Sequence, residues 1–216
     1  MKYALTLRSV AHPNDSIAEK HNRLMRGLVA IGSPWGISGE PPAAPDPGRE
    51  LIAKSRLDRF LGEGIKGYVA YRYRSGLRDQ AMDDDHMVLE FHPDRVDYDV
   101  LLTEALSGYI TAFGAYRAEL GPEELADLDF DQSRKIDKRR GVYRIYPISF
   151  YGGTLCEVAF GVSAGRVVKL LTAVCAEARV LSDGALLIAS RVPVDVEQSR
   201  RFNDAAWQRL RERASA

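Results

Sequence analysis

The densest run of residues able to do polar chemistry is Asp83-Asp84-Asp85-His86, with Glu90 and His92 following. Carboxylates and imidazoles ligate divalent cations. Successive residues of a strand point to opposite faces, so three consecutive aspartates leading a strand cannot all converge on one ion. The spacing matches neither a calcium loop nor a zinc-binding helix. No metal is therefore expected. Two readings stand for the run: a solvated acidic loop ahead of a strand, or an acidic patch that meets a basic partner.

A second acidic stretch comprises Glu123, Glu124, Asp127, Asp129 and Asp131, and is followed at once by Arg134, Lys135, Lys138, Arg139 and Arg140. It reads either as a surface segment that neutralises itself or, in its acidic half, as a second partner patch. The basic half lacks interleaved aromatics, so nucleic-acid binding is not expected. Neither a phosphate loop nor a dinucleotide fingerprint is legible, and Gly152-Gly153-Thr154 reads as a tight turn. Cys156 and Cys175 lie in apolar, helix-like stretches with no histidine nearby in sequence, and are expected to be buried free thiols. There is no nucleophile elbow. His12 falls in a turn and His21 on a helix, both expected at the surface or rim. No catalytic set, cofactor or enzyme activity is expected. Trp35 sits in a proline-rich loop, where an aromatic either pins the loop to the core or faces a partner as a hot spot.

Thirty basic residues balance thirty acidic ones over 216 residues, and 45% of the chain is hydrophobic. Such a balance argues against a dedicated nucleic-acid binder, and such a composition against disorder. A chain of this length buries roughly 70% of the surface its unfolded form exposes, so it needs no disulfide or metal staple. The N-terminal residues, with Tyr3, Leu5 and Leu7 alternating against Lys2, Thr6 and Arg8, read as a strand rather than a signal peptide. No run approaches the ~18 apolar residues of a membrane span. A cytoplasmic location is expected.

The elements that must position these residues follow from periodicity and punctuation. A strand over 2–10 leads through a turn to a helix capped by Ser16, with Glu19 in capping-box position, running to about Ile31. Residues 32–48, with five prolines, are an irregular loop. Leu51 to Leu61 reads as a short helix; 67–74 and Met87 to Phe91 read as strands. Apolar residues at spacings of three and four predict a helix over 97–118 ending before Gly121-Pro122, and 122–141 is a polar surface excursion. A strand from Val142 to Phe150 holds Pro147; a helix over 155–160 ends at Gly161; Ser163 caps a helix over 164–178. Val180 to Ser190 is a hairpin or a strand broken at Asp183-Gly184, and Val194 to Arg213 a closing helix whose apolar stripe includes Trp207. Hairpin signals without strict alternation of strands and helices predict a single α+β domain over 1–216, its mainly antiparallel sheet packed with amphipathic helices.

Residues 142–207 carry a resemblance. Arg144-Ile145-Tyr146-Pro147, Tyr151-Gly152, Leu155-Cys156, Ala159-Phe160-Gly161 and Leu181-Ser182-Asp183-Gly184, in this order, resemble the immunity protein 52 family of bacterial polymorphic toxin systems. The N-terminal strand and helix and Trp35 agree with it in outline. The resemblance implies an immunity protein, or antitoxin, that binds and neutralises a secreted toxin encoded beside it, commonly a nuclease, by occluding its active site. It supplies no motif for the interface. From the residues, the candidate partner-binding set is Asp83, Asp84, Asp85, Glu123, Glu124, Asp127, Asp129, Asp131 and Trp35, because acidic patches suit the cationic groove of a nuclease. The rival readings are an enzyme or nucleotide-binding module with a site assembled from distant residues, and a structural subunit of a phage or secretion apparatus.

Overall fold

The computed structural model describes residues 1–46 and 51–212; Pro47 and Gly48 of the proline-rich segment and Arg213 of the closing helix lie outside them. The chain divides into two compact units, Leu5–Ala115 and Met1–Ala4 with Tyr116–Ala216. Both combine strands with helices, and the strand pairings within each, β2 with β3, β3 with β4, β5 with β6, β6 with β8 and β7 with β8, are antiparallel. The fold class is α+β, as the hairpin signals predict.

In Leu5–Ala115 the elements are β1 (Tyr3–Ser9, whose first two residues belong to the other unit), α1 (Ile17–Ile31), β2 (Ile52–Arg56), β3 (Ile65–Arg72), β4 (Asp85–Phe91), α2 (Tyr98–Val100) and α3 (Leu106–Phe113), with a π-helical turn Leu101–Ala105 joining the last two. The sheet order is β2-β3-β4-β1. Strict alternation of buried and half-buried residues along β1 and β4 puts Leu5, Leu7, Met87, Leu89 and Phe91 into the core. The Ser16 hydroxyl accepts from the Glu19 N–H, the capping bond the sequence predicts. Helices α1 and α3 pack closely because they meet at small residues: a Cβ on Gly27 would stand 2.2 Å from the Ala112 Cβ.

Two expectations in this unit are corrected. Residues 52–56 form a strand and not part of a helix, since Ile52 to Arg56 pair residue by residue with Arg72 to Tyr68. The helix over 97–118 stops at Phe113: Gly114 adopts the left-handed conformation (φ 61°, ψ 46°) and its N–H caps the Ile110 and Thr111 carbonyls.

The other unit holds β5 (Arg117–Pro122), α4 (Glu123–Leu128), α5 (Phe130–Ser133), β6 (Ile148–Tyr151), α6 (Gly153–Phe160), α7 (Ala164–Leu171), β7 (Glu177–Leu181), β8 (Gly184–Ile188) and α8 (Val196–Glu212). Its sheet order is β5-β6-β8-β7. Residues 117–122, expected as helix and then loop, are a strand with every residue buried. Of the expected strand over 142–150 only 148–150 pair, and β6 runs on to Tyr151; Pro147 lacks an N–H, and its carbonyl accepts from the Ala189 N–H. Helix α7 ends seven residues before the expected 178, leaving 177–181 to pair as β7. The β7–β8 hairpin turns through Ser182 and Asp183, with Ser182 at a φ of 54°. Tyr151, Leu155, Cys156, Val167, Leu171, Leu187 and Ala206 belong to one buried apolar cluster, and Phe160 and Trp207 pack on it.

Candidate functional site

The residues expected to form an acidic surface divide sharply by burial. Asp84 and Asp85 are 1% and 0% exposed, and are corrected from surface to core. The Asp85 carboxylate accepts from both Nη atoms of Arg74 at 2.8 and 2.9 Å, from Lys20 Nζ at 2.7 Å and from the Arg72 backbone N–H at 2.8 Å. Lys20 also donates to the Val10 carbonyl. Burial raises the Asp85 carboxyl pKa, but its bonds to Arg74 and Lys20 prevail and hold it below the usual carboxylate range. Asp84 lies 3.9 Å from Arg8. Asp83 accepts from the Arg78 backbone N–H within its own loop. The run therefore supplies internal counter-charge rather than a face for a partner. Among the described residues no group of three or more His, Cys, Asp or Glu side chains could hold a metal ion.

Of the two readings of Trp35, the structure shows the anchor that pins the loop to the core, and the partner-facing hot spot is corrected. Trp35 is fully buried, donates from Nε1 to the Asp97 carbonyl at 2.8 Å, and meets the Phe91 ring edge to face at 4.9 Å. The Tyr109 hydroxyl donates to its carbonyl. His21, expected at the surface, is buried between the Tyr71 hydroxyl (3.2 Å) and the Pro42 carbonyl (3.0 Å). Burial lowers its pKa.

The second acidic stretch behaves differently. Glu124, Asp127 and Leu128 of α4 are exposed at the i, i+3, i+4 spacing of one helical face, and Asp131 of α5 is exposed as well. Leu125 and Asp129, on the opposite side, are buried. Asp129 is thereby corrected from partner surface: it takes a bidentate ion pair from Arg144, whose Nη2 lies 2.8 Å from Oδ1. Glu123 is half-buried and pairs with Lys2 at 3.0 Å. Of the acidic residues proposed for the partner, only Glu124, Asp127 and Asp131 are exposed.

The same unit is concave elsewhere on its surface. An open groove of about 790 Å³ is lined by Tyr143, Arg200, Asp204, Trp207, Gln208 and Arg211, among others. A smaller cavity of about 130 Å³ adjoins it, since Ile136, Tyr143 and Arg144 line both. Tyr143 is 37% exposed, and Leu128 and Phe130, at 57% and 55%, leave large apolar side chains in solvent nearby in the chain. The Arg211 guanidinium lies 5.7 Å from the Trp207 ring centroid. A groove-lining stripe of α8 was legible: Arg200, Asp204, Trp207, Gln208 and Arg211 recur at helical spacing opposite Ala206 and Leu210. The apolar stripe of the sequence absorbed Trp207 into the core, whereas the ring is half-buried and spans both environments.

Neither thiol is activated. Burial pushes the Cys156 pKa up to about 11 and that of Cys175 to about 12, the reverse of what a nucleophile needs. Cys175 lies beyond the end of α7 and is half-buried.

No helix among the described residues is long and apolar enough to cross a membrane. No family model and no curated protein matches the chain. Among solved structures it is similar to a Pseudomonas aeruginosa T6SS protein, PA0821, at 12% identity and a TM-score of 0.47, over 97% of this chain and 72% of that one. A likeness at that level assigns neither a family nor a function to this chain, and the α+β architecture stands on the strand pairings themselves.

Proposed function

We propose that this protein is a cytoplasmic immunity protein that binds a cognate secreted toxin and occludes it, with a nuclease as the toxin class that the family resemblance implies. The reading is supported by one observation above others: the groove of the Tyr116–Ala216 unit gathers Tyr143, Trp207, Arg200 and Arg211 at the surface. Tyr, Trp and Arg are the side chains that most often carry binding energy at protein interfaces. The groove also lies largely within and beside the segment that bears the resemblance. The exposed carboxylates Glu124, Asp127 and Asp131 flank it in sequence and suit steering of a cationic partner.

The test is co-purification with the product of the adjacent toxin-like gene, and protection of cells that express it. Tyr143→Ala and Arg200→Ala should each weaken the complex about tenfold or more while leaving the melting temperature near wild type. Replacing Glu124, Asp127 and Asp131 by their amides should slow association, most at low salt. Absence of both binding and protection would overturn the reading.

A further inference from the structure

The sheet of the Leu5–Ala115 unit ends at β2, which pairs with β3 alone. Hydrogen-bonded residues alternate along an antiparallel pair. Leu57 donates its N–H to the Gly67 carbonyl at 2.8 Å, and the Leu51 carbonyl accepts from the Tyr73 N–H at 2.9 Å. Ile52 to Arg56 run in register with Arg72 to Tyr68, so Ala53 and Ser55 turn their backbone groups to β3 as well. Ile52, Lys54 and Arg56 therefore point their N–H and C=O groups to the open edge. Among the described residues no hydrogen bond reaches those groups. Such a row is a template for another strand.

The side chains beside that row decide which strand it takes. Lys54 and Arg56 are exposed and, two residues apart, share one face of β2. The Lys54 Nζ sits 3.6 Å from the centroid of the Tyr68 ring, which holds the ammonium in place without neutralising it. Arg56 donates from Nη2 to Asp58 Oδ2 at 2.7 Å, while Asp58 Oδ1 accepts from the Gly67 N–H. Arg59 is exposed, and with Arg56, Asp58 and Phe60 it lines an open recess of about 540 Å³. Among the described residues neither Lys54 nor Arg59 has an ion-pair partner. On β3, Lys66 stands opposite Glu90 of β4. A cationic surplus therefore remains at the edge, with Lys54, Arg56 and Arg59 against Asp58. Ala53 and Ser55, on the other face of β2, are buried. A second copy of β2 would set Lys54 and Arg56 against their own kind, and like charges across strands repel. We propose that the β2 edge takes up an extended acidic segment of a partner protein as an added strand, with carboxylates at alternate positions beside Lys54 and Arg56 and uncharged residues between them. Main-chain bonds would supply affinity and the cations selectivity. The site lies in the other unit from the groove and does not depend on the function proposed above.

The test titrates the whole protein with a capped peptide of alternating Glu and Val while heteronuclear NMR follows the amides of β2. The Ile52, Lys54 and Arg56 N–H resonances should move and exchange more slowly with solvent, whereas those of Ala53 and Ser55, already bonded to β3, should stay protected throughout. Lys54→Ala should weaken binding about threefold through loss of charge. Lys54→Pro also removes an outward N–H, at an edge position where no bond to β3 is lost, and should weaken binding about tenfold or more. Should the proline variant fail to fold, the exchange of the three wild-type amides carries the test. Absence of peptide binding by wild type overturns the proposal and leaves the cations as guards of the edge. Equal affinities of the Ala and Pro variants, with the three amides unmoved, overturn the added strand. Equal binding of a peptide of alternating Lys and Val overturns the selection by charge. Tighter binding of oligothymidylate than of the acidic peptide overturns the protein partner in favour of single-stranded nucleic acid.

Discussion

At the scale of single residues, Asp85 is a buried carboxylate that ties together several segments of the Leu5–Ala115 unit. Its carboxylate is the shared counter-ion of Lys20 and Arg74, both largely buried. Asp85→Asn would leave two buried cations with one neutral acceptor, and breaking a buried pair in this way costs about 3–5 kcal/mol. Urea unfolding should show a loss of that order, whereas Asp83→Asn, half-buried in the turn Ala81–Asp83 where the amide oxygen can still accept from the Arg78 N–H, should cost no more than about 1 kcal/mol. A near-neutral Asp85→Asn would refute the buried triad. The pH dependence has a definite sign. The folded pKa of Asp85 lies below its unfolded value, so its contribution is present above about pH 4 and is lost as pH falls through the folded value. The local pattern of three aspartates was legible in the sequence, but its role was not. Carboxylates in a row look solvated until strands β3 and β4 and helix α1 bring Arg74 and Lys20 to the same point.

At the scale of elements, the register of the chain turns on a few stops. Gly114 ends α3 in a conformation that side chains other than glycine adopt at a cost. An added Cβ would meet nothing closer than 3.8 Å, so Gly114→Ala isolates the backbone strain. It should destabilise by about 1 kcal/mol, read as a drop of a few degrees in melting temperature, and a stabilising effect would show that the left-handed cap is absent. The sequence concealed this stop because Phe113 and Tyr116 continue the helical spacing past it. Residues 52–56 misled in the same way: Leu51, Leu57, Phe60 and Leu61 share a helical face on paper, while the backbone of β2 is committed to β3. Where a cap has its own chemistry, as at Ser16 or Gly161, sequence and structure agree.

At the scale of the whole molecule, the even charge balance leaves function to local surface rather than to net field. No group of metal-ligating side chains converges among the described residues, so exhaustive chelation should leave the melting temperature unchanged. A fall of several degrees in that experiment would require a metal the fold depends on. What the sequence determined by itself were the features written in short-range physics: the α+β class, the capped helix α1, the β7–β8 hairpin, and the alternation that buries one face of β1 and β4. These depend on periods of two and 3.6 and on turn residues, all local. What only the tertiary structure decided was which polar residues face water. Asp84, Asp85 and Asp129 looked available to a partner, and all are buried because distant segments supply their hydrogen bonds and counter-charges; for Trp35, only the structure chose the core anchor over the partner-facing hot spot. Conversely, the groove of Tyr143 and Trp207 joins residues far apart in sequence that no local period connects. Burial is a property of long-range packing, and a single chain read in windows carries no record of which partner arrives from elsewhere.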